Sequence, residues 1–112
     1  MFRTTLNSGF QMEFKNGITI SVQFNTINYC ERRDANAPIL NEMKMDIVES
    51  NSAEIAIWDK EGTWFSFGHD TVKGWVEPDE VATWIIFCTA ATSLDDLRTR
   101  VIACDMMEKI ED

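Results

Sequence analysis

The side chains able to do chemistry are few and scattered. His69 is the single histidine, and Cys30 is the cysteine with Arg32 and Arg33 close behind it. A nucleophilic thiolate needs such an electropositive setting. A working thiol–imidazole dyad also needs a third group to orient the ring, and the sequence shows none. Glu77, Asp79 and Glu80 bunch together, as do Asp95 and Asp96. Paired carboxylates are oxygen ligands for a divalent ion. Both clusters fall where a helix is expected to begin, and the positive end of the helix dipole accounts for them without a metal. With one His and no Cys-x-x-Cys pair, a structural zinc site is not expected. There is no glycine-rich phosphate loop and no nucleophile-elbow serine. The expectation is a chain with no catalytic residue, no metal site and no cofactor.

One segment differs from the rest. Asn28-Tyr29-Cys30-Glu31-Arg32-Arg33 joins an aromatic ring, an amide and two guanidiniums within a polar stretch, residues 25–38, that ends in Pro38. Arginine forks suit phosphate or carboxylate, and a tyrosine offers a stacking face. Asn28, Tyr29, Arg32 and Arg33 are therefore candidate ligands for a nucleotide. The plainer reading is a loop anchored by Tyr29 and Cys30, with the arginines answering nearby acids. Loops of this length in small domains are uncommon and often functional.

Charge points to a partner. Ten basic and nineteen acidic side chains give a net charge of −9. Residues 1–40 carry four basic against three acidic side chains, and residues 41–112 carry six against sixteen. A direct nucleic-acid binder normally shows a basic face, so that class is disfavoured and no direct nucleic-acid contact is expected. Acidic surface promotes solubility in any protein. It also steers a protein onto a basic partner, such as one that handles nucleic acid. Glu77, Asp79, Glu80, Asp95 and Asp96 are the candidate partner-binding carboxylates. Phe87 joins them, because a domain this small has difficulty burying four Trp and seven Phe. An exposed aromatic patch would mark a partner or homodimer surface.

These residues have to be positioned by one domain, residues 1–112, strand-rich over 9–76 and helical over 78–110. Phe10 to Phe14 alternates apolar and polar, Asn16-Gly17 is a strong hairpin signal, and Ile18, Ile20, Val22 and Phe24 share one face of the next strand. Further strands are expected over 43–49, 53–58 and 63–67. Val72–Val76 reads as a short strand interrupted by Gly74, an edge or a bulge. Pro78 opens a helix with Val81, Trp84, Ile85 and Cys88 on one stripe; Ile86 and Phe87 fall outside it. Ser93 opens a second helix, with Asp96 placed for a capping box. Leu94, Leu97, Val101 and Cys104 form its stripe, widened by Ile102, Met106 and Ile110. Cys88 and Cys104 are thus expected as core filler. The fold class is α+β: an antiparallel sheet of about five strands followed by two C-terminal helices packed on one face. The longest apolar run, Trp84 to Cys88, is five residues, against about 20 for a membrane span. The first residues lack a signal pattern, so the expected location is cytoplasmic.

Several blocks together resemble a family of small tailed-bacteriophage proteins. They are Asn16-Gly17 through Phe24, Asn28-Tyr29-Cys30 with Arg33, Ala53 through Asp59 with Gly62 and Trp64, Val72 through Trp75, and Asp79 through Ala82. The resemblance covers residues 9–88 and brings no activity with it. It implies a small acidic phage protein acting in the host cytoplasm. Two functions follow as expectations. One is direct inhibition of a host protein with a basic surface, in the manner of a nucleic-acid mimic. The other is a sponge for a nucleotide signal held by the 25–33 loop.

Overall fold

The computed structural model describes residues 1–5, 8–24 and 49–106. Five strands succeed one another: β1 (Phe2–Thr4), β2 (Gly9–Glu13), β3 (Thr19–Gln23), β4 (Ala53–Trp58) and β5 (Val72–Val76). They lie side by side in chain order, and every neighbouring pair is antiparallel. Two helices follow, α1 (Pro78–Ala90) and α2 (Leu94–Ala103). The α+β architecture read from the sequence is the one observed.

The hairpin between β2 and β3 closes at Asn16-Gly17. The Phe14 and Gly17 backbone N–H groups donate to Ile18 and Phe14 carbonyls at 2.9 Å each, and Gly17 has a φ of +88°, which a side chain disfavours. Alternation then sorts the residues by face. Cross-strand partners Met12, Ile20 and Ile57 form one apolar row, and Phe10, Val22 and Ile55 the next. Helical side chains cover this face: Val81, Trp84 and Cys88 from α1, Leu97 and Val101 from α2, all in one buried cluster with the sheet residues. Phe65 and Phe67 join it, both edge-on to the Trp84 ring at centroid distances of 6.0 and 5.1 Å.

The opposite face carries Arg3 beside Gln11, and Glu13 beside Thr19 beside Trp58. On it, the Gln23 side-chain oxygen accepts from the Thr5 and Ser8 hydroxyls at 2.9 Å each. That ties the β1–β2 connection to β3.

Three expectations need correction. The segment 63–67 is not a strand: only Trp64 pairs, as a single bridge to Trp58. The free edge of β4 is already taken by β5 along Ala53–Ala56, and Phe65 and Phe67 turn inward instead. The strand β1 is additional; at three residues it is too short to show a period. The last helix ends at Ala103, so Cys104 is exposed and not core filler, and Ile102 is 58 % exposed. Asp105 takes a left-handed conformation with φ +57° just beyond the end. Its N–H donates to the Ile102 carbonyl at 3.1 Å and that of Met106 to Val101 at 3.0 Å, the pairing of a Schellman stop. The expected strand over 43–49 lies, up to residue 48, outside the described residues, as does the expected helical stretch beyond Met106.

The expectation for Val72–Val76 is met in both respects. β5 is an edge strand, and its register against β4 shifts between Ala53 and Ile55. Gly74 and Trp75 form the bulge, with Trp75 at φ +54° and 59 % exposed.

Candidate functional site

Asn28, Tyr29, Cys30, Arg32 and Arg33 lie outside the described residues. His69 is exposed in the connection before β5. Cys88 is wholly buried, and desolvation pushes its thiol up to about 12. It stays protonated and inert.

The acidic candidates divide into two groups. Glu80 and Asp96 serve the fold. The Glu80 carboxylate accepts from the Trp84 indole N–H at 2.9 Å and stands 3.7 Å from the Lys73 ammonium, so it orients the central core ring and ties α1 to β5. Asp96 accepts from the Thr92 backbone N–H at 3.0 Å and from the Arg100 guanidinium at 2.9 Å. Its own N–H donates to the Ser93 hydroxyl at 3.0 Å, the cap that the sequence predicts. The Thr92 N–H, and then Arg100, hold the Asp96 carboxyl below its ordinary value.

Glu77, Asp79 and Asp95 are exposed and make no ion pair among the described residues. Glu77 precedes the first turn of α1 without capping it through its side chain. Phe87 is half-buried and packs against the core, so it does not supply the exposed apolar group expected of it. Ile86 does, at 64 % exposure. The signal was its position outside the Val81–Cys88 stripe: a helix apolar on more than one side turns one of them outward.

An apolar cleft of about 430 Å³ opens beside the start of α1. Phe10, Val22 and Phe24 line its sheet side; Pro78, Val81, Ala82 and Ile85 line its helical side. Ala82 and Ile86 share the outer stripe of α1 with Asp79, so the cleft, the exposed isoleucine and a carboxylate form one continuous surface. Sequence reading missed the cleft, because it depends on the gap between a hairpin end and a helix distant in the chain.

Among the described residues, no group of three or more His, Cys, Asp or Glu side chains could hold a metal ion, and no helix is long and apolar enough to cross a membrane. Compared with protein-family models, curated proteins and solved structures, the chain matches none of them.

Proposed function

We propose that this chain is a non-catalytic bacteriophage protein that binds and inhibits a host protein, with its carboxylates standing where nucleic-acid phosphates would. The fitting target is an antiviral defence protein with a basic, nucleic-acid-handling surface. The carrying observation is the surface of α1, where Asp79, without an ion pair among the described residues, shares a stripe with exposed Ile86 and with Ala82 at the mouth of an apolar cleft. Acids at the edge of an apolar centre match an interface, where desolvated anchors hold and rim charges steer. The occupant is a basic segment of the partner that seats an apolar side chain in the cleft. The phage setting rests on the sequence blocks, and the acidic balance of residues 41–112 supports the polarity of the contact.

The test compares three tagged proteins repurified from bacterial host lysate at low and high salt, followed by native mass spectrometry. They are the wild type, Asp79→Lys and Ile86→Asp. Both positions are exposed, so the fold should tolerate both changes. The expected result is one protein held by the wild type at low salt, released at high salt, and lost in both variants. Retention by the variants, or binding indifferent to salt, overturns the reading. A small-molecule adduct on the wild type, lost in Arg33→Ala, would turn it toward the nucleotide sponge.

A further inference from the structure

The face of the sheet turned away from the helices carries a second concavity. It is a trough of about 410 Å³, within the range of roughly 300–1,000 Å³ usual for small-ligand sites. Strand register builds it. Glu13, Thr19 and Trp58 stand directly opposite one another on β2, β3 and β4, and Trp64 extends the row through its bridge to Trp58. Arg3 and Gln11 form the neighbouring row, and Lys60 closes one end.

Three features set this trough apart from ordinary solvated sheet. Its floor is Thr19, only 3 % exposed, whose hydroxyl finds no hydrogen-bond partner among the described residues. A polar group so deeply buried is normally satisfied. Its wall is aromatic: Trp58 lines it, and the half-exposed Trp64 ring lies behind, 5.1 Å from that of Trp58 at 33°. Its charge is mixed: Arg3 is bound to Glu13 at 2.6 Å, and Lys60 makes no ion pair among the described residues.

We propose that the trough binds a neutral sugar ring, stacked on Trp58, with ring hydroxyls bonded to Thr19, Gln11 and the Arg3–Glu13 pair. A sugar ring has an apolar C–H face for an indole and an edge of hydroxyls that both donate and accept. Threonine, amide and ion pair offer both functions in return. A phosphorylated ligand would have Lys60 alone to answer its charge, because Arg3 is already paired with Glu13.

Titration of the full chain by nuclear magnetic resonance tests this, with the Trp indole N–H and Gln11 side-chain amide signals as readouts. The probes are maltotriose, cellotriose and chitotriose, with adenosine and inorganic phosphate as contrasts. The expected result is a saturable, millimolar response of the Trp58 and Trp64 signals to at least one saccharide, and none to the contrasts. Thr19→Val, nearly isosteric and suited to a strand, should weaken that response by about tenfold. Gln11→Ala should weaken it at a half-buried position where the fold is not at stake. Indole signals unmoved by all three saccharides overturn the proposal. So does saturation by adenosine or phosphate instead, or an affinity unaltered in both variants.

Discussion

The Asn16 side-chain amide donates to the Cys88 carbonyl at 2.7 Å and to the Ala91 carbonyl at 2.8 Å, so the tip of the β2–β3 hairpin caps the end of α1. The last carbonyls of a helix have no partner within it. Here the partner comes from a residue more than seventy positions earlier in the chain. The same side chain works locally as well: its oxygen accepts from the Ile18 N–H at 3.0 Å. One asparagine thus sets both the turn and the docking of α1 on the sheet.

Its two roles can be separated. Asn16→Asp keeps the oxygen that the turn uses but sets a carboxylate against two carbonyl oxygens at the negative end of the helix dipole. Asn16→Ala removes both roles and adds no repulsion. If the helix contact matters, Asp is no better than Ala, and each costs about 1–2 kcal/mol, a drop of several degrees in Tm. Thermal unfolding by circular dichroism measures this. An aspartate variant as stable as the wild type would leave only the turn role standing.

Most of the architecture was legible because local signals agreed with each other. The β2–β3 hairpin announces itself by strict alternation around Asn-Gly, and α1 and α2 by Pro78 and by Ser93 with Asp96. The misreadings share a cause: they turn on who occupies which edge. Thr63–Phe67 alternates like a strand, yet β5 already holds the edge it would need. Cys104 keeps the helical period, but the helix stops one residue earlier, where Asp105 turns left-handed. The candidate sites were legible only in part. Alternation places Thr19, Ser21 and Gln23 on the polar face, but nothing local says that Thr19 is buried there between Glu13 and Trp58. Ile86 and Phe87 both fall off the stripe, and the sequence reading favoured Phe87 where Ile86 is the exposed one; the cleft beside it needs residues from both halves of the chain.

Thiol accessibility follows from the two helix ends. Cys88 lies wholly inside and Cys104 sits exposed just past α2. In a Cys30→Ser background, an aromatic disulfide reagent should modify Cys104 promptly at mildly alkaline pH. Cys88 should react only as the domain opens, slower by on the order of a thousandfold or more. Peptide mapping after timed quenching assigns the sites. Comparable rates at both cysteines would mean that α1 does not stay packed on the sheet.

The loop between the helices should make stability depend on pH in a known direction. The Thr92 N–H and the Arg100 guanidinium favour the ionised Asp96 carboxylate in the folded chain. Its folded pKa therefore lies below the ordinary value of 3.8. A carboxylate shifted this way contributes its full stability above the unfolded-state value and loses it as the pH falls through the folded one. Asp96→Asn removes the charge but leaves the Ser93 hydroxyl and the backbone cap in place. The variant should melt below the wild type near neutrality, and the gap should close in acid beneath the ordinary carboxylate range. Because the side chain is partly solvated, added salt should narrow the neutral-pH gap through the Arg100 contact, while the Thr92 bond persists. Melting curves of both proteins across that pH span settle the sign. A gap that stays constant into acid would show that the loop is held by the Ser93 cap and not by the Asp96 charge.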